Sequence, residues 1–211
     1  MLRTLKYFSL VLVGLFVGVV SALKMSGLIG NKSLSSFSDV NVNNWRSDWS
    51  IGAPAANPYL RARIARHGLL ALSKSEAVYL TRTVDDDGKV LNEACTYELS
   101  GTTQDVFWWS ITLYDSQSRL PMNDGTALSI DATTVGDAQK WSAIIAPERP
   151  ANSAPENPTN KNTHWVSSLA AGQFDLTLRM YRPSQAVLDA PETHINPPSI
   201  RRVSCLNGAG S

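Results

Sequence analysis

The sequence predicts a mainly β protein: an antiparallel β-sandwich, jelly-roll-like, with one packed helix, preceded by a single transmembrane helix. Three observations carry this expectation. An uncharged, mostly apolar run fills residues 7–23. Two long segments, 105–115 and 173–183, alternate apolar and polar residues with a period of two. One stretch, 57–68, has helical spacing with a start and a stop signal. The chain divides accordingly into a membrane segment at 1–30, an extended tether at 31–50 and a sandwich domain at 51–211.

As a helix the run 7–23 is about 25 Å long, slightly short of a hydrocarbon core of about 30 Å. Leu5 extends it at one end, and Lys24 can snorkel at the other. Arg3 and Lys6 precede it and favour a cytoplasmic N-terminus, although Lys24 and Lys32 weaken that asymmetry. No acid occurs before Asp39. Val20, Ser21 and Ala22 also offer small residues where a signal peptidase cuts, so a cleaved leader stands beside a retained anchor. Gly14, Gly18 and Ala22 recur every four residues. They form a small-residue stripe along which a second membrane helix can pack, or they reflect the ordinary abundance of Gly and Ala in such segments.

The tether is rich in Ser and Asn, yet it carries Phe37, Trp45 and Trp49, which are too apolar for a free linker. These three are expected to lie along the domain or a partner. The helix follows: Asn57 as N-cap, Pro58 at the first helical position, Leu60 and Ile64 on one face, and Gly68 as the stop. Arg61, Arg63 and Arg66 surround the remaining faces; they read as solvated ion pairs, the alternative being a site for phosphate or lipid headgroups.

Beyond the helix the period changes to two. Val78, Leu80 and Val84 alternate with Tyr79, Thr81 and Thr83; Asp85, Asp86, Asp87 and Gly88 then turn the chain into 91–99, predicting a hairpin. A calcium loop is excluded because Thr96 stands where a bidentate Glu is needed. In the strongest strand Phe107, Trp109, Ile111 and Leu113 are expected to face inward; in its counterpart Phe174, Leu176, Leu178 and Met180 do so. Shorter strands fit 127–131 and 141–146, separated from the last long strand by a polar loop at 147–163 rich in Pro and Asn.

A formal net charge of +1 speaks against a nucleic-acid binder. The two cysteines, Cys95 and Cys205, sit in no Cys/His cluster, so no metal is expected. In an exported domain they can form a disulfide closing a loop of about 110 residues, worth about 4 kcal/mol in the chain-entropy account. The alternative is two separate buried thiols. Of the histidines His67, His164 and His194, none falls in a catalytic signature. A triad of Ser110, His164 and Asp115 exists only on paper, because no nucleophile elbow surrounds Ser110. Phosphate loops and metal-binding helices are absent from the sequence, and no cofactor is expected. The outward residues of the two long strands, Trp108 and Tyr114 with Arg179 and Tyr181, form a candidate binding face for sugar rings, carboxylates or a protein; the competing reading packs them under the helix.

The stretches RARIARHGLLALSKSEAVYL, DDDGKVLNEACTYELSG, FWWSITLYD and GQFDLTLRMYRP occur in an order that resembles the twelve-fourteen domain-of-unknown-function family, over roughly residues 45–205. In many of its proteins that domain follows a second uncharacterised domain, the twelve-fifty-four domain; short bacterial members place it directly behind a membrane segment. The resemblance implies a jelly-roll-like sandwich exported across the inner membrane. Ser21-Ala22, Cys95 and Cys205 match features of the short members. His164-Trp165 followed by VSSLAAG departs from the family's Asn-Trp and prolines before its last strand. The family carries no agreed activity.

Together these readings predict a single-pass protein of the bacterial inner membrane, N-terminus cytoplasmic and domain periplasmic. It is expected to act as an interaction module, an accessory or structural subunit held to integral membrane proteins and the bilayer by its helix and tether. The alternative is a periplasmic binder of, or enzyme acting on, envelope carbohydrate or another small ligand.

Overall fold

The computed structural model describes residues 2–29, 39–53, 58–66, 72–123, 125, 127–150 and 163–206. The two alternating segments become the longest strands, β5 (Val106–Asp115) and β9 (Phe174–Pro183), paired antiparallel. They sit inside a six-stranded sheet ordered β1-β2-β3-β9-β5-β6, where β1 is Val40–Val42, β2 Trp45–Ser47, β3 Ala77–Arg82 and β6 Ser129–Asp131. The second sheet is ordered β10-β4-β7-β8, from β4 (Cys95–Thr102), β7 (Lys140–Ala146), β8 (Thr163–Ser167) and β10 (Ser199–Cys205). The protein is therefore mainly β with two sheets. It is not wholly antiparallel, because β7 and β8 run parallel from Ser142↔Thr163 to Ala146↔Ser167.

Period-two patterning places the core between the sheets. Trp109, Ile111 and Leu113 of β5, with Leu176, Leu178 and Met180 of β9, face Tyr97 and Leu99 of β4 and Trp141, Ala143 and Ile145 of β7. Trp109 stacks on Trp141 with ring centroids 4.9 Å apart and planes 22° apart. Burying each such large side chain contributes about 1.5–3 kcal/mol before packing terms. Phe107 departs from the expected inward set and is 73% exposed. It lies opposite the end of β9, where Arg182 has a left-handed backbone (φ 48°) and sets its guanidinium 4.7 Å from the Phe107 ring.

The expected hairpin around 85–88 is reduced to one bridge, Val84↔Val90. The flanking strands β3 and β4 do not pair; they belong to different sheets. Alternation alone could not distinguish these cases, since β3 is buried on both faces: Val78 and Leu80 in the core, Ala77 and Tyr79 under the helix. That helix, α2 (Pro58–Arg66), uses Leu60 and Ile64 for the contact. Its expected caps, Asn57 and Gly68, and His67 lie outside the described residues. Three short helices follow: α3 (Ala132–Val135), α4 (Gln185–Asp189) and α5 (Pro191–His194).

The turn at Asp85 carries the chain between the sheets and is tied on every side. Asp85 has no exposed surface. Its Oδ1 accepts from the backbone N–H groups of Asp87 and Lys89, and its Oδ2 lies 2.7 Å from Nε of Arg202 on β10. Next to it, Asp86 accepts from Nη2 of Arg82 and from the N–H of Ile200. At the far end of β10, Cys205 is disulfide-bonded to Cys95 on β4, its register partner. The last strand is thus pinned to the body by an ion pair and a covalent bond.

Removing one member of a buried ion pair leaves the other uncompensated, at a cost of about 3–5 kcal/mol. Asp85→Ala is expected to lower the unfolding free energy of the full chain in urea by that amount. Asp87→Ala, at an exposed position in the same turn, is expected to cost under about 0.5 kcal/mol. Equal costs for the two would remove the clasp from this account.

Candidate functional site

Strand pairing brings the four outward residues of the candidate face onto one surface of the six-stranded sheet. Trp108 is the register partner of Tyr181, and their rings lie 5.3 Å apart at 54°. Further along, Arg179 donates from Nη1 to Oγ1 of Thr112 at 3.0 Å and from Nη2 to the Tyr114 hydroxyl, with its guanidinium 5.3 Å from the Tyr114 ring. The patch is half-buried. Tyr181 packs against the cluster under α2, and Trp108 donates from Nε1 to Oγ1 of Thr133 on α3 at 2.9 Å. Two helices therefore flank the aromatic pair without roofing it. The polar groups of Trp108, Tyr114 and Arg179 are bonded to one another or to the neighbouring Thr112 and Thr133, which suits a rigid recognition surface more than a proton-transfer site.

One carboxylate on this face is unusual. Asp175 is the register partner of Tyr114 and accepts from Oγ1 of Thr177 at 3.2 Å. Loss of water around it pushes its pKa up to about 7, with the charge of Asp115 adding and the Thr177 hydrogen bond and Arg179 opposing.

The paper triad does not assemble. Ser110 and Asp115 lie five residues apart on one extended strand, about 17 Å at strand rise. Asp115 is committed to its own turn, accepting from the N–H groups of Gln117 and Arg119 and pairing with the Arg119 guanidinium at 3.3 Å. His164 lies in the other sheet, opposite Ala143, where desolvation lowers its pKa and Asp131 partly opposes that. Among the described residues no group of three or more His, Cys, Asp or Glu is placed to hold a metal ion.

The tether tryptophans are built into the domain. β1 and β2 are joined through Asn43 and Asn44, both left-handed (φ 50° and 66°), as a two-residue turn requires. Trp45 is fully buried and donates from Nε1 to the Pro198 carbonyl at 2.8 Å. Trp49 donates to the Leu188 carbonyl at 3.3 Å, and Lys74 lies 4.6 Å over its ring. Phe37 lies outside the described residues. The membrane segment is α1 (Leu2–Met25), and no residue of its apolar span Lys6–Met25 is fully buried. Gly14 and Gly18 have open space where a side chain would project, and Ala22 is half-buried.

Sequence reasoning did not find a cleft of about 600 Å³ where the two sheets meet. The Asn43-Asn44 turn, Arg82, Lys140 and the 196–199 segment line it. Gly101 and Trp141 form part of its wall: a Cβ on Gly101 would approach the Trp141 ring to 2.4 Å, so only glycine lets the indole lie across β4. The Gly after a polar strand residue and the buried Arg near the turn were the available signals, and neither is distinctive in one sequence.

The family described as "Protein of unknown function (DUF1214)" matches residues 76–185. That span holds β3 through β9, including all four residues of the candidate face and the Asp85 turn. No curated protein matches the chain. Among solved structures, the VPA0106 protein from Vibrio parahaemolyticus aligns with TM-score 0.54 and 18% identity, covering 94% of this chain and 46% of its own. This chain thus spans about half the length of that protein, and the likeness is one of fold. An uncharacterized protein from Burkholderia cenocepacia aligns over 61% of this chain and 30% of its own, at TM-score 0.41 and 12% identity.

The Asp175 carboxyl yields a pH prediction. A free Asp titrates near 4, whereas the folded chain holds this proton up to about 7. Between these values the folded state binds more protons than the unfolded state, so this contribution to stability falls as pH rises and is flat above the window. Asp175→Asn is expected to flatten the decline of the urea midpoint between about pH 4.5 and about pH 7. Parallel profiles for the two proteins would mean that Asp175 is ionised in the fold.

Proposed function

We propose, from the premise that the chain belongs to the DUF1214 family of proteins of unknown function, that it is a membrane-tethered interaction module. In this reading α1 stays in the bacterial inner membrane with its N-terminus in the cytoplasm. The β domain stands in the periplasm as an accessory or structural subunit of a membrane protein complex. The observation that carries the reading is the apolar span Lys6–Met25, exposed over most of its length and with no fully buried residue. Its side chains need lipid or another apolar helix around them.

Other features support the same placement. Arg3 and Lys6 ahead of the span favour a cytoplasmic start. The Cys95–Cys205 disulfide suits an oxidising compartment. Gly14 and Gly18, open on the helix surface, allow a second helix to approach closely. Because Trp45 and Trp49 are held within the domain's own structure, contact with a partner falls to α1 and to the Trp108–Tyr181 face.

The test is intact mass on protein gently extracted from membranes, with co-purifying proteins identified for the wild type, Gly14→Leu/Gly18→Leu and Trp108→Ala/Tyr181→Ala. The expected result is a chain that keeps residues 1–25, with specific integral membrane proteins whose recovery drops about tenfold in at least one of the two variants. A mature soluble chain beginning at Leu23 would overturn the anchor. Recovery unchanged in both variants would overturn the assigned surfaces.

A further inference from the structure

The cleft between the sheets has a charge inventory that the folded chain leaves open. Arg82 is 2% exposed and yet lines this cleft. Its Nε donates to the Val84 carbonyl at 2.7 Å and its Nη2 to Asp86 at 2.7 Å, while Nη1 has no hydrogen-bond partner among the described residues. Asp86 also accepts from the N–H of Ile200, so its carboxylate is already shared. Lys140 lies on the same cleft, is exposed, and has no ion-pair partner among the described residues. Two cations against one committed anion leave the cleft with a net positive charge.

The remaining lining is rich in groups that recognise hydroxyls. Asn43 and Asn44 project from a turn whose backbone geometry is fixed by their left-handed conformations. Asn196 is held by its own donation from Nδ2 to Oγ1 of Thr102 at 2.9 Å, and its backbone carbonyl accepts from Gln104 at 2.7 Å. That leaves the Asn196 amide oxygen facing no donor among the described residues. Trp141 forms a rigid wall, fixed by its donation to the Thr102 carbonyl at 3.2 Å and by its stack on Trp109. An apolar ligand would strand these polar groups, at a cost in affinity for each. A volume of about 600 Å³ is the size of a small-molecule site.

We propose that this cleft binds a small, hydroxyl-bearing anion, a sugar carboxylate or a sugar phosphate, with its charged group toward Arg82 and Lys140 and its hydroxyls on the Asn43, Asn44 and Asn196 amides. The site is distinct from the Trp108–Tyr181 face, and it does not depend on how α1 meets the membrane.

The test is NMR of the tryptophan indole N–H groups of the ¹⁵N-labelled full chain in detergent, titrated with glucuronate, glucose 6-phosphate and glucose. The expected result is a saturable shift of the Trp141 indole with at least one anionic probe. Trp108 should not move, and glucose should bind about tenfold more weakly. Lys140→Met and Asn196→Leu, both at exposed positions, should each weaken the anionic probe about tenfold while the indole spectrum stays dispersed. Arg82 is left intact in this test, because its bonds to Val84 and Asp86 also hold the turn. No shift up to about 10 mM, binding of glucose as tight as that of both anions, or anion binding unchanged in both variants would overturn the proposal.

Discussion

A carboxylate without exposed surface, Asp85, holds the point where the chain leaves the six-stranded sheet for the four-stranded one. A charge so placed is tolerated only when it is paired and hydrogen-bonded. Arg202 on the last strand supplies the pair, and two backbone N–H groups of the turn supply the bonds. In the folded chain the crossing is therefore tied to β10, which lies beside β4 and is held there again by the disulfide. The cleft depends on the same arrangement. Arg82 and Asp86 reach its wall because the turn is fixed, and Ser199 reaches it because β10 begins there.

The molecule presents two surfaces to two kinds of surroundings. The sandwich satisfies itself: its inner faces interlock through Trp109 and Trp141, and its second apolar cluster is closed by α2. The helix α1 does the opposite, carrying Phe8, Leu12, Leu15, Phe16 and Val19 into open space. The hydrophobic effect makes such a helix unfavourable in water and favourable in lipid. Between these parts the stretch read as a tether is already structured from Val40, since β1 and β2 form the edge of the larger sheet. The domain thus begins earlier than composition indicated, because Trp45 provides core volume that Ser and Asn counts conceal.

Much of the fold was legible where one physical signal dominated. The period of two in β5 and β9, the Pro58 start of α2 and the apolar run of α1 each predicted the observed element. The misreadings have a common cause. Alternation reports which residues share a face, not which strand lies alongside, so β3 and β4 were joined in a hairpin when the turn between them is a crossing. Phe107 continued the apolar register of β5, but at the left-handed Arg182 the regular pairing is interrupted, to resume at Val106↔Pro183. The parallel partner β8 was not read as a strand: Thr163 fell at the end of the polar loop, and the side chains after it, His164 and Trp165 among them, lack clean alternation. For the site, the outward aromatic–basic set was readable from the same periodicity that placed the core. The cleft was not, because it is assembled from Asn43, Arg82, Lys140 and Asn196, residues brought together only by the meeting of the two sheets.

The central claim is that α1 owes its structure to the bilayer while the β domain stands without it. Amide hydrogen exchange of the full chain in lipid nanodiscs, compared with the chain lacking residues 2–25, tests this most directly. The account predicts slow exchange across the Lys6–Met25 span in nanodiscs and unchanged protection in β3, β5 and β9 when that span is removed. Fast exchange of the span within the bilayer, or loss of protection in the central strands on its removal, would contradict it.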